Sequence, residues 1–271
     1  MRSTDYGKTW PSFVSLELSP YDGSGAGWSH VHQLPDGTVL LTVTLRHGNA
    51  RVDLKTKEPL PDDKFGIHDH IYRSRDSGRT WGDRSLIVKH SAETSVLRLK
   101  SGKLLAAIRC QRAGGLVLPG DDIAKLKEID AWEAAAGILT GKAGIKHAFL
   151  ADSYDNGYTW TNLRLAPMTP KVKRGLCPSE LVQLPDGRVV WVYIQKALSP
   201  EAMATSGIYA RVSSDDGQTW SSERYRVRLL RDKKRGVYPA STVLKDGTIL
   251  TLTGGNRGNR ALAVGWRIPK K

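Results

Sequence analysis

The residues with the means to do chemistry sit where short apolar runs begin or end. Tyr238 stands before Pro239 at the head of one run, Glu93 is the second residue of AETSVLRL, and Glu180 opens ELVQL. Arg46, Arg109 and Arg112 close runs of the same kind. A tyrosine beside a glutamate can lose its proton and attack as a nucleophile, and a carboxyl can serve as acid or base. The rigid fork of arginine suits a carboxylate ligand. Each residue also has a plain structural reading: the glutamates as strand ends bonded to backbone amides, Tyr238 as a packed aromatic, the arginines as ion-pair partners of those carboxylates. The pairs His30/His32 and His68/His70 have the i, i+2 spacing that puts two rings on one strand face, but no further ligand set accompanies them, and no metal is expected.

What positions these residues is a repeat. The pattern S-x-D-x-G-x-T-W occurs at 3–10, 74–81, 153–160 and 213–220, with its aspartates Asp5, Asp76, Asp155 and Asp215 separated by 71, 79 and 60 residues. Asp and Ser can hydrogen-bond nearby backbone groups, Gly tolerates positive φ, and Trp offers a large face to bury beneath the turn. Copies distributed along the chain cannot all face one active centre, so these aspartates are expected to be structural. A second repeat interleaves with the first, at 32–46, 97–112, 182–195 and 242–256, each with Asp-Gly or Ser-Gly between β-branched and aliphatic runs. That is a hairpin signal.

Together the two repeats define units of four antiparallel strands, A to D, which is how a β-propeller blade is built. A sandwich would not require the same turn at the same place in every unit. The expected fold is therefore an all-β propeller forming a single domain over 1–271, with blades at about 28–90, 91–170, 176–230 and 237–271. Residues 1–18 supply an orphan box and outer strand. The last blade lacks strand D, so either the segment near Trp10 to Leu18 closes it into a four-bladed ring, or the chain is part of a longer propeller. One helical insertion is expected over 119–142, where Ile123, Leu126, Ile129 and Trp132 have near-helical spacing. Connectivity puts the starts of A and the ends of B at one mouth, and this gathers Trp28, His30, Glu93, Glu180 and Tyr238 with Arg46, His47, Arg109, Arg112, Gln195, Lys196 and Asn256.

Composition agrees with a globular chain and narrows the partners. The 271 residues carry 25% charged and 39% hydrophobic residues with a net charge of +14, which favours anionic partners such as acidic sugars. No run reaches the length of a membrane-spanning helix, and the N-terminus has no apolar signal-peptide core, so no membrane partner is expected and the compartment stays open. Cys110 and Cys177 are too few for a disulfide framework. Aromatic and basic residues do not interleave as in nucleic-acid modules, so no nucleic acid is expected.

The boxes resemble those of the Asp-box, or BNR-repeat, proteins, and with AETSVLRLKSGKLLAAIR and GVYPASTVLKDGTILTL the chain resembles the sialidase superfamily along nearly its whole length. That resemblance implies a six-bladed pattern, an arginine triad clamping the substrate carboxylate, a tyrosine nucleophile assisted by a glutamate, and an aspartate acid/base on an early blade. Position by position it makes Tyr238 the nucleophile and Glu93 its partner, with Glu180 the rival for that role. Arg109 or Arg112 resembles the second triad arginine and Arg235 the third. The first arginine and the early aspartate have no counterpart, and counting back from Tyr238 makes the present blades three to six. The implied function is an exo-α-sialidase-type hydrolase acting without a cofactor on terminal sialic acid or a related acidic sugar. The alternative is a non-catalytic Asp-box propeller that binds glycan or protein.

Overall fold

In the computed structural model the described residues are 3–21, 23–24, 31–47, 66–89, 91–112, 145–167, 172–173, 179–197, 206–229, 238–254 and 261–269. The expected helix over 119–142 lies outside them, as do Trp28, His30, Asn256, Cys177 and Arg235.

The fold is an all-β propeller of antiparallel sheets. The first sheet holds β1 (Gly23–Ser24), β2 (His32–Gln33), β3 (Val39–His47), β4 (Gly66–Ser74) and β5 (Gly82–Val88), with β1 and β2 pairing successive parts of β3. The second runs β6 (Ser91–Arg98), β7 (Leu104–Arg112), β8 (Ile145–Ser153) and β9 (Thr161–Leu165) in order. The third contains β10 (Val172–Lys173), β11 (Ser179–Gln183), β12 (Val189–Ala197), β13 (Gly207–Ser213) and β14 (Tyr225–Leu229). The last has three strands, β15 (Ala240–Val243), β16 (Ile249–Gly254) and β17 (Ala261–Trp266).

The core lies in the seams between sheets, as radial packing requires. Ile71 and Ile87 of the first sheet meet Leu104, Ile108 and Phe149 of the second. Leu105 and Leu150 meet Leu181, Trp191 and Tyr193 of the third, and Val190, Val192 and Ile208 meet Ile249 and Ile268. Removing such apolar faces from water is the main drive for stacking the sheets.

Each S-x-D-x-G-x-T-W box folds the same way, and its bonds explain its residues. In the box at 74–81, Ser74 Oγ donates to Asp76 Oδ1 at 2.7 Å and accepts from Gly78 N at 2.8 Å, while Asp76 accepts from Thr80 N at 2.9 Å and Thr80 Oγ1 at 2.7 Å. The same four bonds recur around Asp5, Asp155 and Asp215. Hydrogen bonds from Ser3 and Thr9 hold the Asp5 carboxyl down at about 2. All four aspartates are therefore engaged in turns.

The box also joins one sheet to the sheet before it. Arg73 of the first sheet donates to the carbonyl of Asn156, the fourth residue of the second sheet's box, at 2.9 Å. Lys103 of the second sheet donates to the matching carbonyl of Asp216 at 2.6 Å. The last sheet has no box, yet the ladder sets Trp266 opposite Ile249 just as Ser213 lies opposite Val189. Three residues on, the carbonyl of Pro269 accepts from Arg188 at 3.0 Å. The end of the described chain thus makes the docking contact without the motif.

The segment near Trp10 to Leu18 does not close the last sheet: among the described residues β17 pairs only with β16. The segment lies on the first sheet instead, where Leu16 and Leu18 pack on Val43, Leu45 and Tyr72. Tyr72 Oη donates to Glu17 O at 2.5 Å, and Arg84 donates to Leu18 O and Ser19 O at 3.2 and 2.8 Å. Bonds to its backbone hold it against that sheet.

Box glycines at the seams tolerate no side chain. A Cβ on Gly217, at φ +83°, would lie 2.5 Å from Leu105 Cδ2, whereas Gly187, at φ +93°, faces open space. Gly217→Ala is expected to cost about 2–4 kcal/mol in chemical denaturation, from strain plus overpacking, against about 1 kcal/mol for Gly187→Ala, where only the backbone strain applies.

Candidate functional site

Hairpin register brings the start of one strand beside the end of the next. In the second sheet Ala92 pairs with Arg109 and Ser95 with Ala107, so Glu93 and Thr94 together oppose the single residue Ile108. This is a β-bulge, and Glu93 takes φ +55° within it. The extra residue turns the Glu93 carboxylate towards the end of β7, where it forms an ion pair with Arg109 Nη1. Both side chains are largely withdrawn from water, at 13% and 16% exposure, so the pair is less screened than a surface one.

Tyr238 comes from the last sheet, two residues before β15. Its hydroxyl donates to Glu93 Oε1 at 3.4 Å across 145 residues of sequence. Burial first, and then the negative charge of Glu93, push the phenol above its ordinary range, so it rests protonated at neutral pH. At 37% exposure the ring is nevertheless open to an incoming ligand. The structure thus unites a protonated phenol, a carboxylate that can take its proton, and a guanidinium that can bind an anion.

The other expected site residues fall differently. Glu180 is 2% exposed in the seam between the second and third sheets, where it accepts hydrogen bonds from Ser95 Oγ and from Leu181 N at 3.2 Å. Burial pushes its carboxyl up to about 8. A group so enclosed braces the seam and cannot meet a ligand without rearrangement. Arg46 is exposed at the end of β3 and, among the described residues, forms no ion pair with Glu93. Arg112 is the last residue of β7, its side chain outside the described set, and Arg235 lies outside the described residues.

Of the histidines, His70 contacts Tyr21 Oη at 3.2 Å, and burial draws its ring down to about 4. No group of three metal-ligating side chains occurs among the described residues.

One neighbour of the site carries no sequence motif. Asp69, fully buried in β4, accepts hydrogen bonds from Thr44 Oγ1 at 2.5 Å and from Thr94 Oγ1. Aligned by ladder position, Asp69 stands where β8 has Ala148 and β13 has Ile208. An acid at an otherwise apolar place in the repeat was the available signal.

The four sheets form an all-β propeller, and a solved sialidase propeller superposes on it. Among solved structures, the Hadza microbial sialidase Hz136 superposes with a TM-score of 0.56 at 17% identity, covering 88% of this chain and 43% of that one. A protein of unknown function from Dyadobacter fermentans gives 0.57 at 15% identity, covering 92% of this chain and 66% of that one. The chain therefore spans less than half of the sialidase it resembles. No family model matches the sequence, and no curated protein does.

The buried carboxyl has a measurable consequence. Because the folded value of Glu180, about 8, lies above the unfolded one, 4.5, its contribution to stability is complete below the unfolded value and is lost as pH rises through the folded one. Glu180→Gln is expected to remove that decline, which amounts to roughly 4 to 5 kcal/mol by pH 8 at about 1.4 kcal/mol per unit. Denaturant titrations of both proteins at several pH values check this.

Proposed function

We propose that the protein is a sialidase-type glycoside hydrolase that acts on a terminal acidic sugar. The observation carrying this reading is the meeting of Tyr238, Glu93 and Arg109 at one mouth.

The chemistry follows from the charges. A sugar bearing its own carboxylate next to the anomeric carbon would repel a bare carboxylate nucleophile, whereas a neutral phenol approaches without that penalty. As Tyr238 Oη bonds to the anomeric carbon, its proton passes to Glu93 and the glycosidic bond breaks, the leaving oxygen taking a proton from an acid or from water. Water then attacks the glycosyl-tyrosine, its proton passing to the base left when the leaving oxygen was protonated, and Glu93 returns its proton to the departing phenolate. Arg109 offers the planar fork that holds the substrate carboxylate and also fixes the carboxylate that serves Tyr238. The net charge of +14 assists the approach of an anionic glycan.

Hydrolysis of a fluorogenic sialoside tests the proposal. Wild type is expected to release the fluorophore, and Tyr238→Phe to lower kcat on the order of 1000-fold or more through loss of the nucleophile. Arg109→Lys is expected to raise KM more than it lowers kcat. Capture of the glycan without turnover that depends on the phenol would leave only a binding propeller.

A further inference from the structure

The position of Glu93 depends on a bulge, and the bulge needs something to hold it. Outside glycine, φ +55° is an uncommon conformation, maintained only when the surroundings over-determine it. The support comes from the neighbouring sheet. Asp69 Oδ1 accepts from Thr44 Oγ1, its ladder partner on β3, at 2.5 Å, and Asp69 Oδ2 accepts from Thr94 Oγ1, the residue next to Glu93. Its backbone N–H donates to Ser91 Oγ at 2.8 Å, and Ser91 Oγ donates to Val88 O at 2.7 Å. Asp69, Ser91, Thr94 and Thr44 are at most 3% exposed. This polar knot therefore clamps the strand on both flanks of Glu93, at Ser91 and at Thr94.

We propose that Asp69 is the positioning residue of the mouth: by gripping Thr94 from the first sheet it fixes the bulge in the second and delivers the Glu93 carboxylate to both Arg109 and Tyr238. The acid touches neither ligand-facing group and acts through Thr94. A hydrogen bond in such a dry place is strong, and losing one partner strands the other without water. With the grip released, the strand can return to regular pairing, which turns alternate side chains to the opposite face. Glu93 would then leave the mouth.

Assigning this geometry to a reaction rests on the hydrolase reading, but the test does not. Proteins carrying 13Cζ-labelled tyrosine are titrated by NMR, with the Tyr238 resonance assigned from Tyr238→Phe. Glu93→Gln sets the scale, since it removes the Glu93 charge that helps hold the phenol up. Thr94→Val, which keeps the side-chain volume but has no hydroxyl to donate, is expected to lower the Tyr238 titration midpoint by at least half the Glu93→Gln shift. Asp69→Ala, if it folds, is expected to do the same. A Thr94→Val protein with a wild-type Tyr238 midpoint overturns the proposal and reduces the knot to a stabilising contact. Failure of sialoside turnover would leave this outcome unchanged, so the two readings fail separately.

Discussion

The structure depends on one repeated constraint: a backbone corner pinned by an aspartate, whose fourth carbonyl is held by a cation of the preceding sheet. The pin is local, since Asp, Ser, Gly and Thr satisfy one another within eight residues. The docking is not local: it fixes how sheets drawn together by their apolar faces sit against one another. Arg73 with Asn156 and Lys103 with Asp216 make the contact within the motif. Arg188 with Pro269 makes it without the motif, which shows that the carbonyl rather than the aspartate carries the docking. Between these charged points the seams fill with aliphatic and aromatic side chains, and the backbone polar groups of the corners are satisfied where they leave water.

The mouth inherits its precision from that stacking. Arg109 is at the end of one strand, Glu93 near the start of its partner, and Tyr238 near the start of a strand two sheets later. Register alone would place the first two side by side. The bulge adds a rotation that regular pairing could not supply, and it sits against the buried polar knot of the first sheet. Three sheets thus share in placing a handful of atoms.

Much of this was readable from residues alone, because the repeats write the fold in local code. Boxes marked the corners, Asp-Gly turns marked the hairpins, and connectivity grouped Glu93, Arg109 and Tyr238 with Glu180, Arg46, Arg112 and others at one mouth, of which contacts join the first three. Glu180 followed the same rule and ended up enclosed, since the depth of a strand-start residue depends on which seam covers it, and one blade's pattern does not contain its neighbour's face. The bulge was invisible because Ser91-Ala-Glu-Thr-Ser95 carries no glycine at the residue with positive φ, the conformation being imposed by tertiary bonds rather than by local preference. Asp69 opens DHIYRS with no local mark, and its place is apolar in the other sheets only when the ladders are aligned. The role of Pro269 had no motif to announce it.

The most direct test of the account is covalent trapping. A fluorinated sialosyl fluoride, which forms its glycosyl-enzyme quickly and releases it slowly, is incubated with the protein, and the digest is read by mass spectrometry. The account predicts one modified peptide, the one containing Tyr238, with the adduct on the phenolic oxygen. An adduct on Glu93 instead, or an intact protein that gains no mass while bound to the sugar, would contradict it.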